Sequence, residues 1–281
     1  MLKYFSSQTS WEAFAKMADR FVYLVEDKFD YHLNSDDMTI VVGTVHGTVR
    51  VHDQVIVIDH SGKAISTEVK QLECVKETGT EHPLSCTDGP IALLLGICPS
   101  EIDKYYVITS IRPWMNENVN EAVENPYLLG MLYGEKFKDD QSFFGRFVFA
   151  LAHSHLLAPV VLSKRPEDNG DGTATFTAHT QISFPTLANN NLPGKATLAV
   201  FTDWTELYKW EDAPRDENGK VQTIILKFPD IVHLTADEGL NGCVINAFGK
   251  TSFFMPNSMI DMITSLEGYR REFGDSPKTE N

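Results

Sequence analysis

Two histidines, His153 and His155, are the first residues whose type and spacing suggest chemistry. Zinc accepts imidazole ligands at short spacings. The spacing predicts a helix over residues 142–154, however, and positions two apart on a helix point to different faces. They read more simply as helix-end surface residues than as a metal pair. The run Glu167-Asp-Asn-Gly-Asp-Gly172 is acidic and glycine-rich, as a calcium loop is. With Glu167 as first ligand, the closing position falls on Ala178, where such a loop needs a bidentate glutamate. A hairpin turn accounts better for its Asn-Gly and Asp-Gly pairs. Of the glycine–lysine pairs, only Gly249-Lys250 precedes a hydroxyl residue, Thr251, and Val244 stands where a phosphate-binding loop needs its first glycine. A GTPase reading is therefore rejected. Cys98 has no nearby cation to make a reactive thiolate, and Cys243 lies in an apolar run as a small core residue. No Gly-x-Ser-x-Gly elbow occurs.

The segment Leu198-Ala-Val-Phe-Thr-Asp-Trp-Thr-Glu-Leu-Tyr-Lys-Trp210 and the segment Gly242-Cys-Val-Ile-Asn-Ala-Phe-Gly249 share a different pattern. Each is a short apolar run that stops at polar or glycine residues, as a buried strand does where it empties into a turn or helix start. Asp203-x-x-Glu206 fits a capping box. In an α/β sheet, ligands favour the carboxyl ends of strands. Thr202, Asp203, Trp204, Trp210, Asn246, Phe248 and Gly249 are therefore the candidate binding surface. For the two tryptophans the competing reading is core packing; the functional one is an aromatic contact surface, since Trp is enriched at interface hot spots.

The bulk properties narrow the classes. The 281 residues suggest two domains, and the hydrophobic fraction of 42% supports ordinary cores. Residues 1–110 carry 9 basic and 16 acidic side chains and residues 111–281 carry 15 and 23, so the net charge of −15 is spread over both halves. Such a field disfavours nucleic acid, whose binding rests on Lys and Arg. The N-terminus lacks the apolar core of a signal peptide, and no apolar run is long enough for a membrane span. The four cysteines fit no zinc module. A cytoplasmic chain with reduced thiols, no metal and no cofactor is expected.

The elements follow from periodicity. A short helix is expected over 10–19. Between residues 21 and 95, short apolar runs alternate with turn residues, the signature of an all-β barrel or sandwich. Pro113 opens a connection, then a helix over 116–135 that Pro126 breaks or kinks. The helix over 142–154 leads to a strand at 157–162, where Pro159 suggests an edge or a strand start. Residues 173–178 and 181–184 read as hairpin material. Caps are expected at Asp203, at Thr235-x-x-Glu238 and at Ser258-x-x-Asp261, with strands at 243–246 and 252–255 around Gly249.

Two resemblances emerge from these residues. The run from Val25 through Ile-Val-Val-Gly43-Thr-Val-His-Gly47 to Asp53-Gln-Val-Ile-Val-Ile58, with Asp88-Gly-Pro-Ile-Ala-Leu-Leu-Leu-Gly-Ile97, resembles the second domain of elongation-factor-Tu-type translation factors. In that family the turn before the third long strand usually reads Gly-Asp; here it is His52-Asp53. The stretch Phe147–Val160, then 198–207, then Val244-Ile-Asn-Ala-Phe-Gly249, is similar to the SseB-type N-terminal domain, which more often has proline where Ala247 stands. That resemblance implies a small α/β or α+β domain and no set of catalytic residues.

The expected fold class is therefore multidomain: a translation-factor-like all-β barrel over 20–110, then an SseB-like α/β domain over 116–270. The leading functional expectation is a non-enzymatic, cytoplasmic binding or regulatory module with a protein partner. The alternatives are RNA or ribosome association through the barrel, and a small-molecule binder or enzyme at the strand ends of the second domain. The sequence is silent on oligomeric state.

Overall fold

The computed structural model describes residues 4–6, 20–33, 36–76, 79–114, 121–137, 140–164, 166–168, 174–176, 179–188, 196–237 and 239–274. The helix expected over 10–19 lies outside them. The chain divides into two compact units: Thr9–Pro113 with Pro126–Ala150, and Met1–Gln8 with Trp114–Asn125 and Leu151–Asn281. The units are thus interleaved in sequence. By compactness, Pro126–Ala150 groups with the barrel and not with the rest of the 116–270 stretch.

Strand β1 (Tyr4–Ser6) belongs to the second unit. The first unit is built from β2 (Phe21–Leu33), β3 (Asp36–Arg50), β4 (Gln54–Ile58), β5 (Ala64–Lys76), β6 (Gly79–Glu81), β7 (Ser85–Leu95) and β8 (Val107–Thr109). Their order is β4-β8-β2-β3-β7-β5, and β5 pairs back onto β4, so six antiparallel strands close into a barrel with β6 appended to β5. The all-β barrel expected from the sequence is present.

Alternation explains the closure. Thr39, Val41 and Val45 of β3, Leu93 and Leu95 of β7, and Val69 and Leu72 of β5 point inward and are fully buried, while their sequence neighbours point out. Closing the sheet removes most unpaired edges. Gly43 is required where β3 crosses β2, because a Cβ there would stand 2.1 Å from the Leu24 carbonyl oxygen. The turn into β4 holds His52 at φ 73°, a left-handed conformation, which accounts for the glycine usual at this place in the resembling family. The His52 imidazole lies 2.9 Å from Glu68 Oε1.

Helix α1 (Pro126–Gly134) packs on β2 and β8, and its Tyr133 ring stacks on His46 of β3 with centroids 3.8 Å apart. Pro126 starts this helix instead of kinking a longer one, because a first-turn residue needs no amide donor. Residues 121–125 are not helical. Helix α2 (Gln141–Ala152) opens on Asp140, whose carboxylate accepts from the Phe143 amide at 3.0 Å and from the Tyr105 hydroxyl at 2.5 Å.

The second unit contains β9 (His155–Pro159), β10 (Val161–Leu162), β11 (Glu167–Asp168), β12 (Ala174–Thr175), β13 (Ile182–Ser183), β14 (Thr186–Ala188) and β15 (Ala196–Val200). After them come α3 (Trp204–Tyr208), β16 (Gln222–Lys227), α4 (Phe228–Asp237), β17 (Gly242–Ile245), β18 (Phe253–Pro256), α5 (Asn257–Ser265) and α6 (Glu267–Phe273). One sheet runs β1-β16-β9, another β14-β15-β17-β18, with β15 and β17 parallel. A bridge between Leu157 and Phe201, bonded both ways at 2.9 Å, joins the two. Helix α4 lies against β16 and β17, and α5 against β17 and β18. This is the mixed α/β region expected to follow the barrel.

Pro159 ends β9, which is an edge strand of the sheet β1-β16-β9 as expected, where its missing amide donor costs least. Of the stretches expected as hairpin material, β12 pairs antiparallel with β11 and β13 pairs antiparallel with β10. Two expected caps are corrected. Thr235 is not a cap but lies inside α4, its hydroxyl donating back to the Ile231 carbonyl at 2.8 Å. Ser258 lies inside α5, which starts after Pro256 with no side-chain cap.

Candidate functional site

The parallel pairing of β15 and β17 brings both predicted segments to one end of a sheet, in register Leu198–Cys243, Ala199–Val244 and Val200–Ile245. The ladder then continues through a side chain. The Asn246 amide donates to the Val200 carbonyl at 2.9 Å, and the Asn246 Oδ1 accepts from the Thr202 amide at 2.9 Å. Asn246 Nδ2 donates to Thr202 Oγ1 and to Thr251 Oγ1, both at 3.0 Å. Asn246 sits at φ 54°, a conformation that asparagine tolerates better than most residues. The chain turns there, closed by the Gly249 amide on the Asn246 carbonyl at 3.0 Å, with Ala247 in the place of the family's proline.

On the β15 side, Asp203 caps α3 as expected, accepting from the Glu206 amide at 3.1 Å and from Thr202 Oγ1 at 2.8 Å. Glu206 Oε1 receives Lys209 Nζ at 2.5 Å. Gly249 packs directly on this carboxylate, since a Cβ there would lie 2.0 Å from Glu206 Oε2. Thr202, Asp203, Glu206, Asn246 and Thr251 are all buried.

Of the seven predicted site residues, Thr202, Asp203 and Asn246 form one hydrogen-bonded unit, and Gly249 rests against Glu206 of the helix that Asp203 caps. Trp210 and Phe248 stack with centroids 5.3 Å apart and planes 22° from parallel. Phe248 is 43% exposed, whereas Trp210 is buried. Trp204 is also buried and packs on Tyr208 of its own helix. The polar groups are thus occupied with one another, and the outward chemistry of the site is aromatic.

Asn125 is a contributor the sequence reading missed. Its Nδ2 donates to the His155 carbonyl at 2.7 Å and to the Thr202 carbonyl at 2.6 Å, and its Oδ1 accepts from the His155 amide at 3.1 Å. One side chain therefore ties the start of β9 to the end of β15. The Asn125-Pro126 dipeptide was the available signal, since proline holds the preceding residue out of the helical region.

The other chemical candidates separate. Helix α2 ends at Ala152, so His153 and His155 do not share a helix as expected. His153 Nε2 lies 2.7 Å from Glu272 Oε1, and His155 opens β9 with its ring edge-on to Trp114. Glu167 and Asp168 form a strand of a hairpin, and no metal-capable cluster of His, Cys, Asp and Glu occurs among the described residues. All four cysteines are free, and complete burial pushes the Cys243 thiol up to about 12. No helix among the described residues is long and apolar enough to cross a membrane. A cleft of about 300 Å³ lies elsewhere in this unit, lined by Val160 to Lys164, Pro214 to Glu217 and Gln222, and it includes none of the predicted site residues.

Fold and site together define a protein with a closed antiparallel barrel and an α/β unit whose parallel strand ends are locked by buried side chains. Residues 135–262 match the family model of the SseB protein N-terminal domain. No curated protein matches the sequence. Among solved structures, similar chains include translation elongation factor SelB from Methanococcus maripaludis in its apo form, at 12% identity and a TM-score of 0.28, covering 74% of this chain and 37% of that one. They also include the S. cerevisiae Ski7 GTPase-like domain bound to GTP, at 12% identity and a TM-score of 0.30, covering 75% and 38%. The present chain spans less than two fifths of those chains.

Proposed function

We propose that this chain is a non-enzymatic binding or regulatory module of the cytoplasm whose partner is a protein, engaged at the carboxyl ends of β15 and β17. One observation carries the reading: Phe248 stands exposed and stacked on a buried Trp210, two residues beyond Asn246, whose side chain is bonded to Thr202. A rigid aromatic anchor on a fixed base loses little entropy on binding and is typical of interface hot spots. The bonded polar groups favour binding over catalysis, because both Asp203 oxygens already accept hydrogen bonds.

The test is affinity capture from native lysate with tagged full-length chain, with and without nuclease, for the natural sequence and Phe248→Ala. A stoichiometric, nuclease-resistant protein that the variant loses while keeping its melting temperature supports the proposal. Ribosomal proteins that vanish with nuclease would transfer it to RNA or ribosome association through the barrel. Turnover by metal-replete protein in a hydrolase and transferase screen would replace it with an enzyme.

A further inference from the structure

Strand β2 outruns the barrel. On one side β3 pairs with it along its whole length, from Phe21–Gly47 to Leu33–Asp36. On the other side β8 pairs only with Val22, Tyr23 and Leu24, and the backbone bonds of Val25 with Tyr105 and Tyr106 are the last before a bulge. Beyond it, the Lys28 ammonium is held by the carbonyls of Pro99 and Ile102 at 2.9 and 2.7 Å. Among the described residues, no backbone pairs with residues 29–33 on that side. Among the described residues this edge is unpaired, and an unpaired edge is the kind of surface that templates another strand.

The outward face beside this edge is apolar. Register places Phe29, Ile40 and Leu94 in one row across β2, β3 and β7, with Tyr31 opposite Met38 in the next. Phe29 is 54% exposed, and Tyr31 and Val42 are 37% exposed. The flanks are acidic. The neighbouring row runs Asp27, Val42, Ala92 and Glu73, so carboxylates stand at both ends of it. Asp30 lies on the edge strand itself. The Lys28 charge is drawn away to the two carbonyls.

We infer that the edge of β2 from Phe29 to Leu33, with the outward face of Phe29, Tyr31, Ile40 and Val42, docks an extended, basic segment of a partner protein as an added strand. Apolar side chains of that segment cover the aromatic row, and its lysines or arginines face Asp27 and Asp30. Charge selects this occupant. Opposite charges across neighbouring strands are favourable and like charges directly opposite are not. A second copy of the chain would set these aspartates against themselves, and a phosphate backbone would meet the same carboxylates. The site is on the barrel unit and does not depend on the strand-end surface proposed above.

The experiment is selection of a random linear decapeptide library on full-length chain, with counter-selection on full-length Phe29→Asp. The leading peptide is then synthesised and titrated by fluorescence anisotropy. The expected survivors alternate Lys or Arg with apolar residues. The leading peptide should lose about tenfold or more in affinity for Phe29→Asp and for the double variant Asp27→Lys/Asp30→Lys, and should weaken as salt rises. All three substituted side chains are exposed, so far-UV circular dichroism and melting should be unchanged. Failure to enrich any peptide, survivors without a basic excess, or affinities within about twofold for both variants would overturn the inference. A self-association seen by sedimentation and abolished by Phe29→Asp would overturn it in favour of a second copy.

Discussion

The two units hold their surfaces in place by different physics. In the barrel, positions are set by a closed antiparallel ladder, bulged at three places, around an apolar interior. The buried side-chain hydrogen bonds described there mostly serve backbone groups: Tyr23 Oη donates to the carbonyls of Val41 and Ile91, Thr39 Oγ1 to that of Ile97, and Thr109 Oγ1 to that of Phe21. In the α/β unit, the ladder between β15 and β17 is only three residue pairs long. Beyond it, Asn246, Thr202, Asp203 and Asn125 substitute for backbone pairing. A short parallel pairing needs such staples, whereas a closed barrel satisfies its own backbone. The barrel should therefore tolerate loss of a polar side chain, and the α/β unit should not.

The largest expected effect tests that contrast directly. Asn246→Ala leaves the buried Thr202 amide and Thr251 hydroxyl without their partner, at roughly 1–3 kcal/mol each, so a loss of about 3 kcal/mol or more is expected. Urea unfolding followed by tryptophan emission reads this unit through Trp114, Trp204 and Trp210. A loss below about 1 kcal/mol would show that the network is not what holds the strand ends.

A pair of glycine substitutions sharpens the comparison. In Gly43→Ala the new Cβ meets the backbone carbonyl of Leu24, which cannot move without shifting the β2–β3 ladder, and about 2–3 kcal/mol is expected. In Gly249→Ala it meets the end of the Glu206 side chain, which can rotate, so about 1 kcal/mol is expected. Equal costs in thermal melts would mean that Glu206 is as fixed as backbone.

The smallest effect is electrostatic and confined to the barrel surface. Hydrogen bonds from Lys70 and then His52 hold the Glu68 carboxyl down at about 2, against 4.5 in a free side chain. A depressed carboxylate contributes stability above its unfolded value that is lost as pH falls through the folded value, here between about 4.5 and about 2. The group is exposed, so the change in stability should be slight. His52→Gly should move the Glu68 titration upward in an NMR pH series while leaving the fold intact, because position 52 already has a glycine-like conformation. An unmoved titration would remove the His52 contact.

The barrel was legible because inward and outward residues alternate along strands long enough to show the period. The Asp203 cap was legible for a similar reason, since capping is local. Asn125 was not, because a staple between residues 125, 155 and 202 leaves no periodic trace. Helix limits were misjudged where a proline or a hydroxyl serves two roles: Pro126 begins a helix, and Thr235 bonds back inside one.

By itself, the sequence determined that the chain has an all-β region followed by an α/β region. It also determined that the apolar runs ending at Thr202 and Asn246 are strands emptying into turns, and that both halves carry acidic charge. These properties depend on neighbours a few residues apart. Tertiary structure alone decided that β4 closes onto β5, that Pro126–Ala150 groups with the barrel, and that Thr202, Asp203 and Asn246 spend their hydrogen bonds on each other. It also decided that Phe248 is left facing outward, because the partners that bury Trp210 and expose Phe248 come from segments roughly forty residues apart, a distance at which no sequence period operates.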